Sequence, residues 1–236
     1  MQSAFQERLE QIQRRVREAC VRVDRDPGDV SILAVAKMFG PERVREAAES
    51  GLTVIGESRI QEAMQKIPLC PGHLKWHMIG HLQRNKVREA VQLFCMIHSV
   101  DSWRLLQAIN SACEAIGSVM PVCIEVNVSG ESSKFGLAPD DVPGVLEQSS
   151  SLTNVDIVGL MTIPPFTKDT EDVRPFFRHL RELRDEWQNR CDICLRELSM
   201  GMSNDFEVAV EEGATWIRLG SVLFGERQRQ AEDGRG

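Results

Sequence analysis

Lys37 is the residue best placed for covalent chemistry. It closes the apolar run ILAVA at 32–36. Strand alternation sets Leu33, Val35 and Lys37 on one face and Ala34 and Ala36 on the other. A lysine at the end of a buried strand loses hydration, so it must be paired or neutralised. An amine so placed is a good Schiff-base nucleophile. The competing reading is a lysine that snorkels to the rim and stays solvated. Spacing alone leaves both open. Lys134, in the polar loop SGESSKFGL, is a second amine and reads as solvated.

Two further segments could hold an anion. In LSMGMSND, a strand end gives way to Gly201, and Ser203 and Asn204 stand before a helical pattern. Either side chain could cap that helix, and nothing more. A glycine turn at a helix start also suits a phosphate. The next unit, RLGSVLFGE, repeats the arrangement with Gly220 and Ser221. Arg218 precedes them. If Ile217 and Leu219 face helices, Arg218 faces the other way, where a buried guanidinium demands acceptors. Those acceptors are either a carboxylate such as Glu57 or Glu125, or a ligand ring nitrogen or phosphate.

Other spacings are weaker. His73, His77 and His81 recur every fourth residue, but Pro71, Gly72, Gly80 and the strand-like WHMI break any helix, so a metal site is not expected. Cys191 and Cys194 have CxxC spacing without a second pair, and read as incidental thiols. LRELRDEW reads as a solvated charged face.

These residues need elements to carry them. Across 236 residues, hydrophobic types make up 42% and charged types 27%, the balance of a globular chain. Lys plus Arg is 28 against 35 Asp plus Glu, a net charge of −7, which argues against nucleic acid as a partner. No apolar run approaches the roughly 18 residues of a membrane span. MQSAFQERLEQIQRRVREAC is too charged for a secretory signal, and seven irregularly spaced cysteines read as reduced thiols, so a cytoplasmic protein is expected. Tyr is 0, so no mechanism can draw on a phenol from this chain.

Short β-branched runs alternate with helical stretches about eight times between residues 30 and 225. That alternation predicts a parallel sheet covered by helices, and the count predicts a single (β/α)8 TIM barrel with an extra N-terminal helix. An open doubly wound sheet is the alternative, disfavoured because no GxGxxG follows the first strand. The expected division is 1–29 for the N-terminal helix and lead-in, 30–226 for the barrel and 227–236 for a frayed tail. In such a barrel the strands' C-terminal ends carry the chemistry. Here they bring Lys37, Ser58, His81, Asp101, Asn127, Thr162, Met200 and Gly220 toward one rim.

With these residues in hand, the chain resembles the pyridoxal phosphate homeostasis proteins, barrels similar to the N-terminal domain of bacterial alanine racemase (the fold-type III class). LAVAK, IGESRIQEA, WHMIGHLQRNK, HSVDS, SGESSKFGL, GLMTI, LSMGMSNDFEVAV and IRLGSVLFG carry the resemblance over about residues 30 to 226. It implies pyridoxal 5′-phosphate held by Lys37 as a Schiff base, with Ser203, Gly220 and Ser221 at the phosphate and Arg218 facing the pyridine nitrogen. It also implies His81 and Met200 around the cofactor. Two departures stand out. Ser58 replaces the family's usual Asn, and Pro164, Pro165 and Phe166 follow GLMTI where small residues are common.

The implied role is a carrier or buffer of the cofactor, with little or no turnover. Arginine cannot accept a ring proton, which weakens the electron sink that most amino-acid chemistry on this cofactor uses. Racemisation needs groups on both faces of the substrate, and the related racemases use a tyrosine on one of them. The alternatives are a relaxed racemase, with Lys37 and His81 or a cysteine as bases, and a Schiff-base aldolase. Apo-enzymes that use the cofactor are the expected partners, and a monomer the expected state.

Overall fold

A computed structural model describes residues 3–225. Eight short strands, all parallel, close on themselves in chain order. They are β1 (Ser31–Val35), β2 (Val54–Glu57), β3 (Lys75–Met78), β4 (Met96–Val100), β5 (Met120–Glu125), β6 (Val155–Met161), β7 (Glu197–Ser199) and β8 (Trp216–Leu219). β1 pairs with both β2 and β8, which closes the barrel. The open-sheet alternative is thereby excluded.

Helices wrap the outside. α1 (Ala4–Arg22) precedes the barrel, and α2 (Pro41–Glu49), α3 (Ile60–Lys66), α4 (Val87–Leu93) and α5 (Trp103–Ile116) follow the first four strands. α6 (Val142–Ser149), α7 (Arg174–Cys191), α8 (Phe206–Glu211) and the single turn α9 (Ser221–Phe224) follow the last four. Pro41 opens α2 from its first turn, where a missing amide costs nothing. Gly117, at φ 65°, ends α5. No described helix is long and apolar enough to cross a membrane.

The strands sort their residues by parity. Ile55, Val122, Ile124, Leu198, Ile217 and Leu219 join the large apolar layer between sheet and helices. The inward set is smaller. Met96, Cys123, Val158 and Met161 form their own cluster. Around it stand buried polar groups, namely His77, His98, Ser199, Glu125 and Arg218.

α1 is more than an appendage. Phe5, Leu9, Ile12, Val16, Ala19 and Cys20 make a buried stripe at helical spacing. The Phe5 ring lies 5.4 Å from that of Phe224 in α9. Arg15 holds Glu207 of α8 through two bonds of 3.1 and 2.8 Å. Arg8 Nε donates to the Leu223 carbonyl at 2.8 Å, satisfying one of α9's free acceptors. The segment LRELRDEW corrects the reading of a solvated face. Leu180 and Trp187 are buried, and Arg181 pairs with Glu212 at 3.0 Å, as Arg178 does. The seven cysteines are all free thiols. The expected frayed tail, 227–236, lies outside the described residues.

Phe5 is fully buried. Phe5→Ala removes a ring that the neighbours cannot replace, and is expected to cost about 3–5 kcal/mol in urea unfolding, with the far-UV spectrum unchanged.

Candidate functional site

β1 ends at Val35, and Lys37 lies two residues beyond it on the inward parity. Its side chain is exposed at the rim and lines a cavity of about 430 Å³. Ser58, Ser203, Arg218, Gly220 and Ser221 line the same cavity. Six of the eight expected site residues are therefore gathered in one place, drawn from the ends of β1, β2, β7 and β8.

The other two are not. Met200 follows Ser199 on the outward parity and is buried in the apolar layer facing the helices. His81 sits at the rim on another side. Its Nδ1 lies 2.9 Å from Asp101 Oδ2, and its ring stacks on Phe135 with centroids 3.9 Å apart. Neither lines the cavity. The resemblance placed them by motif, and strand parity and the Asp101–Phe135 contacts place them otherwise.

The glycine–serine side of the cavity is built from two turns. Gly201 has φ 90°, and a Cβ there would come within 2.5 Å of Ala209 Cβ, so only glycine lets α8 approach. The helix cap differs from expectation. Asp205, not Ser203 or Asn204, is the N-cap of α8, and its carboxylate takes the Met202 amide at 2.6 Å. This bond folds the loop back on itself. Among the described residues, the Ser203 and Asn204 amides have no intramolecular acceptor. The Ser203 hydroxyl instead accepts from the Val222 amide at 3.4 Å, joining the two turns. Burial raises the Asp205 carboxyl, and the Met202 amide and Arg218 oppose that rise.

Arg218 is 5% exposed and takes neither expected carboxylate. Glu57 has outward parity and pairs with Lys66 at 2.6 Å. Glu125 acts on Arg218 through its field alone. The guanidinium donates to the Ser199 carbonyl at 2.6 Å, the Ser199 hydroxyl at 2.9 Å and the Thr162 carbonyl at 2.8 Å. Three of five donors are thus used, and two remain for an occupant of the cavity. Burial lowers Arg218 to about 10, so it stays charged at neutral pH.

A buried polar chain runs down from Ser199. Its hydroxyl lies 2.7 Å from His98 Nδ1, and His98 Nε2 lies 3.0 Å from His77 Nδ1. Burial holds His77 at about 4 and His98 well below its ordinary value, so both rings are neutral. The Ser199 hydroxyl, which also accepts from Arg218, thereby links the guanidinium to both imidazoles.

Sequence reasoning missed Asp205 and the apolar side of the mouth. Phe39, Ile163, Pro164, Pro165 and Phe166 all line the cavity, and Phe166 is 83% exposed. The Pro–Pro–Phe departure was visible in the sequence as part of the mouth loop, and these residues do line the cavity.

The fold and the site define a barrel of the alanine racemase N-terminal type. The model of that family, described as "Alanine racemase, N-terminal domain", matches residues 7–228. The chain is 45% identical over 223 residues to a pyridoxal phosphate homeostasis protein of Aquifex aeolicus, covering 94% of this chain and 98% of the relative. It is 38% identical over 235 residues to one of Homo sapiens, covering 93% and 85%. PipY of Synechococcus elongatus PCC7942, solved with PLP bound, superposes with a TM-score of 0.80 at 37% identity, over 94% of this chain and all of that one (100%). An alanine racemase of Clostridium difficile, at 13% identity and a TM-score of 0.68, shares the fold. The chain belongs to the pyridoxal phosphate homeostasis protein family.

Glu125 gives the site a pH signature. Burial, aided by Asp101, pushes its carboxyl from 4.5 up to about 7. The folded state therefore binds the extra proton, and stability falls as pH rises from about 4.5 through 7. Glu125→Gln is expected to be more stable than the parent at pH 8 by about 1–3 kcal/mol, with the difference vanishing toward pH 4, read by denaturant unfolding across that range.

Proposed function

We propose that this chain binds pyridoxal 5′-phosphate in the cavity at the strands' C-terminal ends and serves the cell's homeostasis of that cofactor. One observation carries the reading. The Lys37 amine and both glycine–serine turns line a single cavity, with the Arg218 guanidinium on its wall.

The donor set fits the cofactor. When bound, pyridoxal 5′-phosphate supplies an aldehyde that condenses with a primary amine, releasing one water. Lys37 is the amine in reach. The amides of Ser203 and Asn204 and the hydroxyls of Ser203 and Ser221 are the donors for a phosphate. Arg218 offers two unused N–H groups to a ring nitrogen. Ile79, Ile163 and Pro164 line the cavity and suit the flat faces of a ring.

We read the chain as a carrier rather than a catalyst. Arg218 can only donate, so it favours an unprotonated ring nitrogen and a weak electron sink. A racemase needs a second acid–base group across from Lys37. The sequence has no tyrosine. No cysteine lines the cavity, His81 is turned to Asp101, and the Asp205 carboxylate is engaged by Met202. Delivery to apo-enzymes that need the cofactor is the use that such a carrier implies.

Two outcomes follow. Lys37→Ala is expected to remain folded, to lose the borohydride-trapped adduct with pyridoxal 5′-phosphate by peptide mass mapping, and to keep weak phosphate-dependent binding. Amino acids incubated with the loaded parent in deuterated water are expected to gain no Cα deuterium. Steady incorporation would reinstate the racemase.

A further inference from the structure

Lys37 occupies the second position of a tight turn. The Ala36 carbonyl accepts from the Phe39 amide at 3.1 Å. Met38, third in the turn, has φ 65°. Glycine usually fills that left-handed place, and a methionine there is strained.

The turn is held from outside by α3. Lys66 Nζ donates to the Ala36 carbonyl at 2.8 Å and to Glu57 Oε2 at 2.6 Å. Glu62 Oε2 accepts from the Met38 amide at 3.0 Å and lies 3.8 Å from Lys66 Nζ. The peptide groups on both sides of Lys37 are thus tied to one ion cluster. Its centre is dry, with the Lys66 side chain 7% exposed and that of Glu57 0%. A buried ion pair of this kind is a weak source of stability, because desolvation offsets its attraction. Glu57 Oε1 accepts from the Ser58 amide at 2.7 Å, and two further hydrogen bonds, from Lys66 and to Glu62, fall on the backbone that flanks Lys37.

We propose that Lys66 and Glu62 are positioning residues for Lys37. They hold the turn in its strained form, so that the amine stays aimed into the cavity and does not swing over the rim. Met38 supplies the strain, and the α3 cluster opposes its relaxation. The inference rests on the reading of Lys37 as the aldehyde-accepting amine.

Three measurements on the full chain test it. The first is hydrogen exchange at the Met38 amide without added ligand. The second is the rate of borohydride-trappable adduct formation at Lys37 with pyridoxal 5′-phosphate. The third is the affinity for pyridoxine 5′-phosphate, which has the phosphate and ring but no aldehyde. Glu62→Ala is expected to speed exchange at Met38 and to slow adduct formation roughly 10- to 100-fold, leaving pyridoxine 5′-phosphate affinity unchanged. Glu62→Gln keeps a carbonyl acceptor and is expected to keep the parent rate. Adding Met38→Gly to Glu62→Ala relieves the strain and is expected to recover most of the rate. For Lys66, the paired change Lys66→Met with Glu57→Gln avoids an orphaned carboxylate and is expected to slow adduct formation likewise. Equal adduct rates in the parent, Glu62→Ala and the paired variant would overturn the positioning role. A parent that forms no adduct would instead overturn the reading of Lys37, while the exchange data still report on the turn.

Discussion

The buried guanidinium of Arg218 is the constraint on which the site depends. Burying a charge costs several kcal/mol per ion, and here no carboxylate pairs with it directly. Backbone carbonyls and one hydroxyl compensate. Thr162 directly follows β6, Ser199 ends β7 and Arg218 lies in β8, so one side chain ties three neighbouring strands together. It adds to the backbone bonds of the seam between β7 and β8, in which the Thr215, Met200 and Arg218 amides donate to the Leu198, Trp216 and Gly201 carbonyls. The same side chain orders the polar interior below it. Through the Ser199 hydroxyl it is connected to the buried imidazoles of His98 and His77. It also presents a donor, never an acceptor, to whatever enters from above.

The cavity draws its lining from two groups of turns on neighbouring strands. The amine side belongs to the turn after β1, held by α3. The glycine–serine part belongs to the turns after β7 and β8, joined by Ser203 and Val222. α9 is a single turn, yet Arg8 and Arg43 both donate to carbonyls at its end, and the Phe39 and Phe5 rings pack on Phe224. The N-terminal helix thereby stiffens an element too short to be stable by itself.

Much of this was legible in the sequence. Strand–helix alternation disclosed the barrel, because a parallel strand buried on both faces leaves a dense apolar run. The alternation in ILAVAK and WIRLG correctly turned Lys37 and Arg218 inward. What parity could not show was which inward group meets which. Glu57 looked like a partner for Arg218 inside the barrel, but it shares the outward parity of Ile55 and faces Lys66. Met200 was placed by motif, while its parity sends it to the helix layer. The cluster around Lys37 was invisible, because Glu57, Glu62 and Lys66 meet through a strand–helix packing that no local pattern encodes. The cap of α8 was placed one or two residues early, at Asn204 or Ser203, since these and Asp205 are all good caps.

The account's central claim is that a donor, not a carboxylate, faces the cofactor's ring nitrogen. The most direct measurement is the ¹⁵N NMR shift of ring-labelled pyridoxal 5′-phosphate bound to the protein near neutral pH. The account predicts the shift of an unprotonated pyridine nitrogen that accepts a hydrogen bond, and its change in Arg218→Lys. A pyridinium shift, indifferent to that substitution, would contradict it.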